Sequence, residues 1–231
     1  MSIVRQTELT AATIDPAAEV YNAAFNVRTF YVIRAVWGDV PAEEVDPIQL
    51  LKLKQHVYRA ICNHEVYGAY LDGSQAPAAI MVLKRPVDGN NPPNNKLPTP
   101  YDAELDAYFP PDAAAREQEA SDPLLEDHTA TLKKQSWKSQ GTLNYHISYL
   151  ATNPSAQRKG LASRLVRFAL ERAKSEGREV SLTTHSRENV DFYARLGFNV
   201  KGSAEWDIGN TPFTWWCLST DMAKTGSGTD P

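Results

Sequence analysis

The stretch from Tyr149 to Glu176 constrains the fold most. Tyr149-Leu150-Ala151-Thr152 is a strand-forming run and Asn153-Pro154 a turn pair. Gln157-Arg158-Lys159-Gly160-Leu161-Ala162 then opens a helical pattern that runs to about Glu176. Leu161, Leu165, Phe168, Ala169 and Ala173 fall on one face of that helix, and Gly177 follows it as a C-terminal stop. The order is therefore strand, short loop with a glycine, helix. A helix start leaves backbone N–H groups unpaired and carries partial positive charge, so it suits an anion. Gly160 lets that anion approach the backbone, and Arg158 and Lys159 add mobile charge. Taken alone, the stretch is more simply an ordinary helix N-terminus with surface charges.

The rest of the chain alternates strands and helices. Ser2 to Glu8, Glu65 to Asp72 and Ala76 to Leu83 read as strands, the last two joined by the turn signal Asp72-Gly73. Asp15-Pro16 and Asp46-Pro47 each read as a helix start, with aspartate as N-cap and proline at the first helical position. Residues 28 to 37 are apolar, either a continuation of the first helix or a separate buried segment. Leu143 to Thr152, Val180 to Thr184, Phe198 to Trp206 and Thr214 to Leu218 read as strands, with a helix from Arg187 to Leu196. Residues 86 to 100 hold five prolines and four asparagines, which predicts a loop. With the acidic, alanine-rich helices after it, this makes an insertion over 86–138, including a helix started at Asp122-Pro123. The expectation is one domain over 1–222 and a disordered tail over 223–231.

Charge and cysteines exclude several classes. The formal net charge is −4, so there is no general basic field for nucleic acid. No apolar run reaches the roughly 18 residues of a membrane span, and the N-terminus lacks an apolar signal core. Cys62 and Cys217 lie too far apart in sequence to suggest a zinc motif or disulfide framework. A cytoplasmic, metal-free protein is expected, as monomer or homodimer.

Two motifs together resemble the GNAT superfamily of N-acetyltransferases. Gln157-Arg158-Lys159-Gly160-Leu161-Ala162 is similar to that family's Q/R-x-x-G-x-G/A. Asn189-Val190-Asp191-Phe192-Tyr193-Ala194-Arg195-Leu196-Gly197-Phe198 resembles its N-x-x-x-Y-x-x-x-G-F ending of the last helix. The resemblance implies an α/β (α+β) fold: a mixed, mostly antiparallel sheet of six to seven strands flanked by helices, with a V-shaped splay between the fourth and fifth strands. It implies acetyl-CoA as cosubstrate, with pyrophosphate on the backbone from Arg158 to Ala162. The pantetheine arm would pair with the strand at Leu150, Ala151 and Thr152, and Asn189 would bond that arm.

The resemblance also makes Tyr193 the candidate general acid and His146, eleven residues before Gln157, the candidate base. Packing is the alternative for each. If a bulge falls later in the strand, His146, Ser148, Leu150 and Thr152 share a face. Glu65 is a reserve base, and Ser148 could line a proton path. His185 could stand near the site mouth. Trp215 and Trp216 must face opposite sides, one able to line an acceptor pocket with Tyr21, Tyr31 and Trp37. His56, His64 and His128 read as surface or satisfied core residues. The implied activity is acetyl transfer to a small-molecule primary amine. The alternatives are a protein N-terminal or lysine acetyltransferase and a non-catalytic acyl-CoA-binding sensor.

Overall fold

The computed structural model describes residues 1–25, 42–86, 94, 96–108, 144–208 and 211–221. The expected second half of the insertion, the apolar stretch 28–37, and the tail 223–231 lie outside them. Seven strands form one sheet: β1 (Ser2–Gln6), β2 (Glu65–Tyr70), β3 (Ala79–Lys84), β4 (Tyr145–Thr152), β5 (Val180–Thr184), β6 (Asn199–Ile208) and β7 (Thr211–Ser219). Their order is β1-β2-β3-β4-β5-β7-β6. All neighbours are antiparallel except β4 and β5, which pair in parallel and require a helical crossover. The mixed, mostly antiparallel sheet expected from the sequence is thus observed.

Helices cover both faces. α1 (Ala11–Ala24) and α2 (Ala42–Asn63) lie on one side, and α3 (Asp102–Tyr108) packs on α2. Ile14, Ala18, Tyr21 and Val57 meet Val66, Ile80, Val82 and Ala151 of the sheet there. On the other side α4 (Leu161–Ser175) and α5 (Arg187–Ala194) bury Leu161, Leu165, Ala169 and Val190 against Met81, Leu83, Ile147 and Leu182. β2 and β3, sandwiched between the layers, are buried on both faces at nearly every position.

Two helix starts differ from expectation. α1 begins at Ala11 after Thr10, and α2 begins at Ala42, so Pro16 and Pro47 sit inside helices. Each proline forfeits its own N–H bond to the carbonyl four residues back. In α1 the burial of Ile14, Ala17, Ala18, Val20 and Tyr21 outweighs that loss. Tertiary packing overrides the local start signal. The end of α4 follows expectation: Gly177 is left-handed (φ 63°), Arg178 N–H donates to Ala173 C=O and Gly177 N–H to Lys174 C=O.

A charge network ties the N-terminal strands to the C-terminal half. Glu65, 1% exposed, accepts from Arg172 of α4 at 2.7 Å and from the Tyr67 hydroxyl at 3.0 Å. Arg172 also donates to the hydroxyls of Tyr67 (2.8 Å) and Tyr145 (3.1 Å). Glu65 is therefore consumed as a structural counter-ion under α4, which corrects its reading as a reserve base.

Candidate active site

The loop before α4 is shaped by two left-handed residues on either side of Lys159. Arg158 has φ 61° and Gly160 φ 78°. Alternation of this kind turns successive N–H groups inward and makes an anion-binding concavity. Gly160 is the N-cap of α4 and brings no side chain to cap the first turn, so the donors of that turn stay available to an incoming anion. Asn153 organises the approach, its side chain accepting from Ser155 N–H at 3.1 Å, and buried Ala156 anchors the loop. A left-handed arginine costs about 1–2 kcal/mol. Nothing in the local composition signals it, and the sequence shows Arg158 only as a mobile charge.

β4 leaves β5 just before this loop. The parallel pairing covers only Tyr145–Val180, His146–Ser181 and Ile147–Leu182, although β4 continues to Thr152. At the same point the β3–β4 register shifts, with Val82 opposite Tyr149 and Leu83 opposite Ile147, so Ser148 is an extra residue. This is the expected V-shaped splay, opened at a bulge. Asn153 N–H donates to Ala78 C=O at 2.9 Å. The antiparallel alternation then turns the backbone groups of Leu150 and Thr152 away from β3 into the open splay.

One cavity of about 650 Å³ joins these parts. Leu150, Ala151, Thr152, Gln157, Arg158, Gly160, Leu161, Ala162, Asn189 and Tyr193 all line it. Of the expected donor-binding residues only Lys159 does not; it is exposed in the loop. The sequence reading missed Phe25 at the end of α1, Ser163 in the first turn of α4, and Phe192 and Arg195 on α5, which also line it. Arg195 lies two residues past Tyr193 inside the motif, so proximity could have flagged it. Phe25 comes from a segment with no motif.

Tyr193 is 8% exposed, in edge contact with Phe192 and Phe198. Burial pushes its phenol well above the ordinary range. It stays protonated throughout the physiological range and is able to give a proton. Ser186 caps α5 by accepting from Asn189 N–H at 3.4 Å, while the Asn189 side chain donates to Thr184 Oγ1 at 3.2 Å. Asn189 is thus oriented by β5 and its side chain is not the cap.

His146 stands on the other face of the sheet. Its neighbours Tyr145 and Ile147 belong to the core under α4, so His146 faces the α1–α2 side. Leu150 packs toward α4. Because the bulge falls at Ser148, between them, the expected common face of His146, Leu150 and Thr152 is not formed. Its Nδ1 lies 3.0 Å from Ser181 Oγ, and Ser181 Oγ lies 3.2 Å from Tyr145 C=O. Which of the two donates across the Nδ1–Oγ contact is set by the His146 tautomer.

The remaining candidates separate by burial. Tyr21 is fully buried in the core beneath α1, edge-on to Tyr149 at 5.6 Å, and not an acceptor wall. Trp216 packs toward α4 and α5, and Trp215 faces the opposite side, 6.5 Å from the His185 ring. Tyr31, Trp37 and His128 lie outside the described residues. Cys62 and Cys217 are not joined in a disulfide. Among the described residues no cluster of His, Cys, Asp or Glu could hold a metal, and no helix is long and apolar enough to cross a membrane.

A splayed β4, a donor-rich helix start and a buried tyrosine thus converge on one cavity. Residues 129–198 match the sequence model described as acetyltransferase (GNAT) family. The fold is shared with a histone acetyltransferase HPA2 and related acetyltransferase from Corynebacterium glutamicum (16% identity, 96% of this chain and 98% of that one, TM-score 0.58). It is also shared with arylalkylamine N-acetyltransferase 2 from Aedes aegypti (15%, 96% and 100%, 0.53) and the ribosomal-protein-S18-alanine N-acetyltransferase from Escherichia coli (10%, 100% and 100%, 0.51). No curated protein matches in sequence. The GNAT family match is thus to the segment 129–198, which carries both motifs, and the chain as a whole shares the fold of these acetyltransferases.

Proposed function

We propose that the protein transfers an acetyl group from acetyl-CoA to a small-molecule primary amine by direct attack. The observation that carries this reading is the single cavity in which the left-handed loop, the splayed edge of β4 and Tyr193 meet. The N–H groups from Arg158 to Ala162 would hold the pyrophosphate. Leu150 and Thr152 would pair main chain with the pantetheine arm, in the manner of an added strand. Asn189 would bond the same arm.

In the proposed step His146 takes a proton from the ammonium, directly or through water. The amine nitrogen bonds to the thioester carbon, and the backbone donors turned into the splay face the developing oxyanion. Collapse breaks the carbon–sulfur bond, and the leaving thiolate takes the Tyr193 proton, which solvent restores. The test is thiol release from acetyl-CoA over panels of small amines and of peptides, with CoA binding measured by calorimetry. Turnover on small amines alone supports the reading, and turnover on peptides alone replaces it with a protein acetyltransferase. Tight CoA binding with no turnover makes the protein a sensor. His146→Ala is expected to lower the rate most at low pH, where the amine is charged; an unchanged pH–rate profile makes His146 structural.

A further inference from the structure

A second cavity, of about 750 Å³, opens on the α1–α2 face of the sheet. β3 and β4 line it with Val82, Lys84, Ser148 and Tyr149, α2 with His56 and Arg59, and α3 with Asp102. Tyr149 stands between the two cavities. Its ring packs 4.3 Å from His56, a liner of this cavity, and 6.3 Å from Phe25, a liner of the donor cavity. Ser148 and Tyr149 thus line one cavity while Leu150, the next residue of the same strand, lines the other.

The lining of this cavity carries more positive than negative side chains. Lys52, Arg59 and Lys84 bring three positive charges; Asp102 and Asp106 bring two negative ones. Asp102 is already engaged, accepting from Thr99 N–H at 2.9 Å and Gln55 at 2.8 Å and pairing with Arg59 at 3.6 Å. His56 and His64 are lowered to about 4, first by burial and next by Lys84 in each case, so both rings are neutral in a positive field. Ser148 Oγ and His56 Nε2 are buried and have no hydrogen-bond partner among the described residues, which corrects the reading of His56 as a satisfied histidine. Each such group costs about 1–3 kcal/mol until something pairs with it.

We propose that this cavity receives the acceptor, and that the acceptor is an amine that also carries an anionic group, carboxylate or phosphate. Lys52, Arg59 and Lys84 face the anion, and the amine extends past Tyr149 toward the splay of β4. This rests on the transferase reading above and names its substrate class. The test uses the full chain saturated with acetyl-CoA. Amino acids are compared with their methyl esters and decarboxylated amines, and O-phosphoethanolamine with ethanolamine. The expected result is kcat/KM at least tenfold higher for the carboxylated or phosphorylated member of a set; which set responds identifies the anion. The double variant Lys52→Gln, Lys84→Gln is expected to remove that preference while CoA affinity is unchanged. Equal rates for charged and neutral members, or an unaltered preference in the variant, overturn the acceptor assignment and leave the transferase standing. If no amine turns over, calorimetry with the amino acids and O-phosphoethanolamine on the CoA-saturated protein decides. Binding that weakens tenfold in the variant supports the anion site, and no binding overturns it; the missing turnover then counts against the transferase alone.

Discussion

The two cavities on either side of β4 are made of different material. The proposed donor cavity is a construction of main chain: two left-handed residues, a helix start with no side-chain cap and a strand edge beyond its pairing with β5. The cavity under α2 is a construction of side chains, drawn from β3, β4, α2 and α3. A main-chain site holds any ligand whose groups match backbone donors, whatever the surrounding side chains. A side-chain site is set by which charges the helices carry, and it changes with each substitution. On the proposed reading the first would hold the donor and the second the acceptor.

The comparison depends on the two halves staying together, and Arg172→Ala attacks that first. It takes from Glu65, 1% exposed, its closest cation, leaving the Tyr67 hydroxyl at 3.0 Å and Arg5 at 3.7 Å. The expected loss is about 3–5 kcal/mol in denaturant unfolding, and a loss under about 1 kcal/mol makes the network ornamental.

His56 sharpens the contrast by pH. Its folded pKa is lowered to about 4 from an ordinary 6.5. The unfolded chain binds the proton more readily, so stability is full above about pH 6.5 and falls as pH drops toward 4, by up to about 3 kcal/mol from this group. His56→Gln is expected to flatten that part of the stability–pH curve without altering CoA affinity. An unchanged curve means that His56 is not held neutral.

Tyr193→Phe separates chemistry from binding within the donor cavity. Turnover is expected to fall about 100-fold, with CoA affinity kept because the main-chain contacts remain. In the wild type, the raised phenol pKa predicts no decline in rate from its ionisation below pH 10. The smallest effect is Gly160→Ala. No atom lies within 4 Å of an added Cβ, so the penalty is purely conformational, at φ 78°. About 1 kcal/mol is expected, seen as a five- to tenfold weaker CoA affinity by calorimetry; unchanged affinity removes the loop from the donor site.

The same division explains what could be read before the structure. The strand–loop–helix at 149–176 and the helix end at 189–198 carry fixed spacings, because a backbone cradle needs particular residues at particular offsets. Ten of the eleven expected donor-site residues line one cavity for that reason. The α2 cavity has no spacing to read: His56, Lys84, Asp102 and Ser148 meet only when the sheet assembles. Pro16 and Pro47 misled because a proline is a start signal only when packing does not reward an earlier start. The position of the bulge was illegible because nothing about Ser148 itself distinguishes it from a paired residue.

That extra residue makes β4 two half-strands spliced out of phase. Upstream, the side chain of His146 looks toward α1 and α2; downstream, Leu150 and Thr152 present main chain to the splay, so their side chains are spectators to that edge. One ribbon therefore holds two independently adjustable instruments. Changing the side chains of the second leaves its edge intact, while changing those of the first would retune the proposed acceptor side.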